Sequence, residues 1–226
     1  MSEPRELFYQ FRLGLESLIR FPFNYRARLA NVILARCEEV KDRYKSFDEL
    51  NRNQKRGRDF QIRVSDRLSA TAIIAPHGGG IEPGTSELAE AIAGDEFCFN
   101  AFEGIKPRDN CHLHVTSTRF NEPTCVALVG ASQNVVAIHG EDSTPEAIFI
   151  GGLDDRLRQR ISESLRSLKF VVGIHRDRNL HGRDRANICN RSSRGRGVQL
   201  ELTRGLRKTF FKSLSRSGPQ GSHGEI

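Results

Sequence analysis

The period of the apolar positions changes several times along the 226-residue chain. In residues 6–19, and again in residues 28–40 through Leu29, Val32, Ile33 and Leu34, it is helical, with Pro22 between the two stretches. Both are expected to be helices, interrupted at the proline. From about Tyr44 the period shortens. Residues 61–64 read as a short strand, and the unbroken apolar run Thr71-Ala-Ile-Ile-Ala-Pro76 has the character of a strand covered on both faces. A glycine-rich loop follows, then a helix over residues 85–93, with Thr85 or Ser86 available to cap its start and Gly94 to end it.

The alternation continues. Strands are expected at 97–102, 112–117, 134–138, 147–150, 170–174 and 198–202, with helices at 122–129, 154–168 and 206–214. Strands interleaved with helices imply an α/β fold, a mostly parallel or mixed sheet covered on both faces. The expected organisation is a helical N-terminal extension (1–43), a single domain (44–214) and a disordered Ser/Gly-rich tail (215–226).

Composition adds limits. With 37% hydrophobic and 28% charged residues the chain is an ordinary globular sequence, and no stretch approaches the ~20 apolar residues of a membrane span. The charged, interrupted N-terminus does not read as a secretory signal, so a cytoplasmic protein is expected, with cell lysis as a route of release. Cys37, Cys98, Cys111, Cys125 and Cys189 are odd in number and form no C-x-x-C pair, which favours a reducing compartment. Cys98 and Cys125 fall in apolar patterns and are expected to be buried.

The net charge of +7 is uneven. Residues 176–216 carry twelve Lys/Arg and three Asp/Glu, a net of +9; with Glu225 beyond them, residues 1–175 sum to 7 − 9 + 1, or −1. Such a segment would suit a polyanion, nucleic acid among them, or would simply be a solvated cationic surface. No nucleic-acid motif accompanies it, and no run of aromatics is spread among the basic residues for base stacking.

In a sheet of this kind reactive groups gather where strands end at their carboxyl termini. His77 follows the strand at 71–76, His139 follows the one at 134–138, and Glu201 lies near the end of the one at 198–202. Glu82 is five residues beyond His77, across Gly78-Gly79-Gly80-Ile81. Imidazoles and a carboxylate are ligands that a hydrolytic Zn²⁺ takes, and three glycines allow a sharp bend. Spacing alone leaves this metal reading open beside a structural turn with a satisfied histidine, in which Glu82 merely faces a helix dipole. A phosphate-binding loop is disfavoured, because the Walker lysine and the G-x-G-x-x-G spacing are absent. H-G-G-G also resembles the oxyanion loop of α/β-hydrolases, but no G-x-S-x-G follows.

Longer strings bear on the choice. HGGGIEPGTSELAEAIAGD (77–95), FEG (102–104), LHVTSTRFNEP (113–123), VVAIHG (135–140), IGGLD (150–154), NICNR (187–191) and GVQLELTRGLR (197–207) closely resemble the poly-γ-glutamate hydrolase family, in the family's order, over about 44–211. The resemblance implies a three-layer α/β/α sandwich with a central mixed sheet, similar to zinc carboxypeptidases. It implies one Zn²⁺ on His77, Glu82 and His139, with Glu201 in the place of the carboxypeptidase general base. Zinc carboxypeptidases put two residues between the first histidine and the glutamate; this chain has four.

The implied activity is hydrolysis of γ-glutamyl amide bonds by a metal-activated water, with a zinc peptidase or deacylase of other acidic amides as the alternative. The substrate partner would then be a polyanionic γ-glutamyl polymer, which arginines would suit. Arg119, Arg191 and Arg204 are the candidates to stabilise the oxyanion or hold carboxylates, Arg119 in the catalytic role. Asn187, Asn190 and Arg191 of NICNR are expected along the substrate cleft. His112 and His114, at strand spacing around Leu113, are expected to point the same way, as ligand, proton relay or plain surface. His175, His181, Asp95 and Asp154 are expected to be surface or cap residues.

Overall fold

A computed structural model describes residues 9–10, 14, 42–211, 213–215 and 218–219. The two expected N-terminal helices therefore lie almost wholly outside the described residues; Tyr9, Gln10 and Gly14 are helical, and the Gly14 carbonyl accepts a hydrogen bond from Ser164 Oγ at 2.7 Å.

In chain order the elements are α1 (Phe47–Asn53), β1 (Phe60–Ser65), β2 (Thr71–Gly79), α2 (Thr85–Ala93), β3 (Cys98–Gly104), α3 (Pro123–Ala131), β4 (Asn134–Glu141), β5 (Ile148–Gly152), α4 (Asp155–Ser167), β6 (Val172–Gly173), β7 (Val198–Thr203) and α5 (Arg204–Phe210). Seven strands form one mixed sheet in the order β1-β3-β2-β4-β7-β5-β6. The central four, β3, β2, β4 and β7, run parallel, while β1 and β5 pair antiparallel to β3 and β7. The mixed sheet between helical layers agrees with expectation.

Strand alternation divides the interior in two. Ile73 and Ala75 of β2, Val136 and Ile138 of β4, and Val198, Leu200 and Leu202 of β7 pack under α2, α4 and α5. Ala72, Ile74, Val135 and Ala137 face the other way, toward α1 and α3. Here Phe47, Phe60, Phe102 and Phe120 meet at ring separations of 5.3–6.4 Å. A strand buried on both faces has no polar side, which is why 71–76 is apolar throughout.

Caps match the local chemistry. Glu122, expected inside a helix, instead caps α3, accepting from the Thr124 and Cys125 amides. Asp154 caps α4 as expected, accepting from Leu157 N at 3.0 Å.

Three expected elements differ. Residues 112–117 do not form a strand: Asn110–Leu113 is a 3₁₀ turn with extended backbone after it, so His112 is exposed while His114 turns inward. The expected strand at 170–174 shrinks to Val172–Gly173, because it is the sheet edge and pairs only with β5. The last helix begins at Arg204 and ends at Phe210, and Leu214–Ser215 pairs antiparallel with Gly218–Pro219 where tail was expected. Among the described residues no helix is long and apolar enough to cross a membrane.

Cys98, Cys125 and Cys189 are buried and Cys111 is exposed. Burial, with lesser help from Glu122 and Glu201 respectively, pushes the Cys125 and Cys189 thiols well above the usual range. Of these four, native protein is expected to alkylate at Cys111 alone, the others reacting only in denaturant; peptide mass spectrometry with and without denaturant checks this.

Candidate metal centre

The parallel order β2-β4-β7 puts three carboxyl ends side by side. His77 lies on β2, His139 on β4 and Glu201 on β7, and His139 is in direct register with Glu201 across the β4–β7 ladder. Alternation carries His139 with Val135 and Ala137 to the α3 side; Glu201, alternating with Leu200 and Leu202, takes the same side. Contrary to the expected boundary, β2 runs past His77 to Gly79, with an irregularity in its pairing to β3 between Ala75 and Gly78.

The chain after His77 then folds back. Gly80 N donates to Gly104 O at 2.8 Å, Ile81 N to Gly78 O at 3.3 Å and Glu82 N to His77 O at 2.9 Å. Gly79 sits at φ +61°, and a Cβ on it would stand 2.5 Å from Gly104 O. Only glycine fits such a position. The result brings the Glu82 carboxylate to His77: Oε1 is 3.0 Å from Nδ1, while Oε2 accepts from Gly140 N at 2.7 Å.

Three imidazoles surround that carboxylate. His139 Nδ1 is 3.1 Å from His77 Nδ1 and 3.8 Å from Glu82 Oε2. His114 Nε2 is 4.0 Å from Glu82 Oε1, and its ring stacks on His77 at a centroid separation of 4.1 Å. Donor atoms of His77, Glu82 and His114 all lie within 4.8 Å of one another. His114 is thus a neighbour that the strand reading of 112–117 could not separate from His112.

The electrostatics suit a cation. Burial disfavours charge on His77, but Glu82's charge and hydrogen bond outweigh it and raise the His77 pKa. Burial would likewise raise Glu82, yet His77 holds it down to about 2. His139 is pushed down to about 3 by burial and is a neutral imidazole; its Nε2 is buried without a hydrogen-bond partner. Val115 O, which can only accept, pairs with His77 Nε2 at 2.9 Å and leaves Nδ1 as the free nitrogen. Two Nδ1 atoms at 3.1 Å beside a carboxylate are a donor set that fits a divalent metal ion.

Glu201 is buried. Burial first, and then the charge of Glu82, lift its pKa well above the carboxylate range. Gln199 Nε2 donates to Glu201 Oε1 at 2.7 Å, and Asn187 Nδ2 donates to Gln199 Oε1 at 2.9 Å, so Asn187 reaches Glu201 through one amide. Asn190 holds loops instead: its Nδ2 donates to Gly182 O and Asp184 O, and its Oδ1 accepts from Leu153 N and Gly197 N.

The arginines divide. Arg119 bonds Asp42 Oδ2 at 2.7 Å, beside His114; Arg191 donates to Thr118 O and Ala186 O; Arg204 pairs with Asp142 at 3.4 Å. Arg194 and Arg196 approach Asp154, with Arg194 also bonding Asn134 at the start of β4. The basic segment is therefore divided between the two ends of the strands, Arg194 at the start of β4 and Arg204 just past its end.

Comparison with known proteins decides the family. The sequence profile described as poly-gamma-glutamate hydrolase matches residues 44–225. The chain belongs to the poly-gamma-glutamate hydrolase family. Its relatives include the SPbeta prophage-derived UPF0714 protein YoqZ of Bacillus subtilis (strain 168), 32% identical over 82% of this chain and 67% of YoqZ. UPF0714 protein YndL of the same organism is 34% identical over 78% of this chain and 69% of YndL. Among solved structures, a bacteriophage poly-gamma-glutamate hydrolase superposes with a TM-score of 0.74 at 32% identity, covering 78% of this chain and 86% of that one. A zinc-free apo form of YndL gives 0.74 at 33%, covering 80% and 91%. The fold is that of these hydrolases.

One residue of this family member's site was missed from sequence. Arg207 is 1% exposed, and its guanidinium donates to Leu202 O at 3.1 Å, Pro83 O at 2.5 Å and Glu141 O at 3.1 Å. These carbonyls adjoin Glu201, Glu82 and Gly140. A Cβ on Gly140 would meet the guanidinium at 2.6 Å. In sequence it stood only as the last residue of GVQLELTRGLR (197–207), with no role attached to it. Arg207→Met is expected to leave three carbonyls unpaired and cost about 3 kcal/mol or more of stability; urea unfolding of the metal-free chain measures this directly.

Proposed function

We propose that this chain is a zinc-dependent hydrolase that cleaves γ-glutamyl amide bonds, with poly-γ-glutamate as its substrate. The observation that carries this reading is the approach of His77 Nδ1 to Glu82 Oε1 at 3.0 Å and of His139 Nδ1 to His77 Nδ1 at 3.1 Å and Glu82 Oε2 at 3.8 Å, with the buried Glu201 in register beside His139. A Zn²⁺ bound there supplies Lewis acidity and lowers the pKa of water toward ~7.

The chain's own residues do the rest. Glu201, steadied by Gln199 and through it by Asn187, takes a proton from the attacking water and passes it to the leaving amine. Burial beside Glu82 raises its affinity for a proton, which makes the ionised carboxylate a stronger base toward the attacking water. Arg119 and Arg191 stand on adjoining loops, Arg191 being bonded to Thr118 O, and form a cationic margin. A fixed guanidinium fork there serves a developing oxyanion or the free α-carboxylates of a γ-linked polymer. Arg204 serves the same carboxylates from the Asp142 side.

The family profile and the relatives named above support the substrate class, and the zinc-free description of the YndL structure supports the metal. Wild-type protein is expected to carry about one zinc per chain and His77→Ala to lose it, read by mass spectrometry of metal content. Folded, metal-free wild type would remove the hydrolase reading. Glu201→Gln is expected to keep its zinc while its hydrolysis of poly-γ-glutamate falls by orders of magnitude. If that variant stays active, Glu201 is not the general base; if zinc-loaded wild type leaves the polymer intact, the substrate is wrong and the centre stands.

A further inference from the structure

Asp42 lies two residues before the family match begins at 44, yet it reaches the metal centre. Its side chain, 4% exposed, spends both oxygens there: Oδ1 pairs with His114 Nδ1 at 2.6 Å, and Oδ2 accepts from Thr116 N at 2.8 Å and Arg119 at 2.7 Å. An amide and a guanidinium on one oxygen fix the carboxylate, and the carboxylate fixes the ring.

The ring's hydrogen then has one place to be. The Asp42 carboxylate only accepts, so Nδ1 carries the hydrogen and the neutral ring's Nε2 is left with its lone pair. That nitrogen is the one 4.0 Å from Glu82 Oε1. His77 shows the same arrangement in mirror: Val115 O takes the hydrogen of the remote nitrogen, and the other nitrogen faces Glu82. An oxygen acceptor on the far nitrogen is how ligating histidines are oriented and their basicity raised. His112, two residues away on the same turn, is exposed to solvent.

We propose that His114 is a fourth donor to the metal ion and Asp42 the positioning residue that presents it. The inference rests on the zinc reading above. It gives the centre four protein donors, His77, Glu82, His139 and His114. Of the three histidines His114 alone is partly exposed, at 29% of its side chain against 2% and 4% for His77 and His139. It therefore closes the solvent side of the ion. Four donors are the complement of a closed tetrahedral site, whereas a hydrolytic site keeps one position open. His114 would accordingly hold the ion in the resting protein and give up its place to the attacking water, so that its main effect would be on how firmly the ion is retained.

The test is zinc affinity of the full chain, measured by competition with a chromophoric chelator. Asp42→Asn and His114→Ala are each expected to weaken binding by about tenfold to a hundredfold. His112→Ala, on the same turn, is expected to match wild type. The Co²⁺-substituted protein adds a readout that loss of packing does not move: His114→Ala is expected to shift the visible d–d absorption, because a nitrogen donor is replaced. Should His114→Ala match wild type in both affinity and spectrum, the fourth donor is overturned. If only Asp42→Asn matches wild type, Asp42 has no positioning role. Equal weakening by His112→Ala would assign the effect to folding of the turn and overturn the proposal. Wild type that binds no zinc would instead sink the hydrolase reading itself.

Discussion

A single buried cation ties the candidate site together. The Arg207 guanidinium, closed off from solvent, donates to carbonyls beside Glu82, His139 and Glu201, and so joins the β2–α2 loop to the ends of β4 and β7. Burying a guanidinium lowers its pKa through desolvation, offset in part by the charge of Glu82. The penalty is several kcal/mol per ion unless hydrogen bonds compensate, and here three carbonyls do. The residues that would do chemistry are spread over more than a hundred positions; Arg207 makes their backbones one unit.

Around that unit the polar groups satisfy one another only in part. Glu82 meets His77 and the Gly140 amide, yet His139 keeps a buried Nε2 without a partner and is held neutral. Buried polar groups left in this condition cost free energy, and such costs gather where function requires them. The core on either side of the sheet carries the burden: apolar residues of β2, β4 and β7 are packed on both faces. That packing fixes the strand ends from which the site's side chains project.

The family relationship and the geometry support each other from different directions. The profile and the solved hydrolases identify the fold and the class of enzyme. The distances show how this chain arranges its own side chains, with Asp42 held against His114 beside Glu82. The basic character of residues 176–216 takes a different meaning in three dimensions. Several of its arginines neutralise acids or bind carbonyls, and they do so at opposite ends of the strands.

Sequence by itself determined the elements and the candidates. Apolar periodicity located the central strands and α2, since a doubly covered strand must be apolar at every position and a surface helix must repeat near 3.6. Strand ends singled out His77, His139 and Glu201, and the glycines after His77 pointed to Glu82. What tertiary structure decided was which side chains meet. Periodicity could not distinguish a strand over 112–117 from a turn, so it could not tell His114, turned inward, from His112, turned out. Asp42 and Arg207 looked like ordinary surface charges, because the partners that bury them lie 72 or more residues away for Asp42 and up to 124 away for Arg207. Local pattern records what one element must bury; only the packed sheet brings distant elements close enough for a carboxylate to orient a ring or a guanidinium to join a loop to two strand ends.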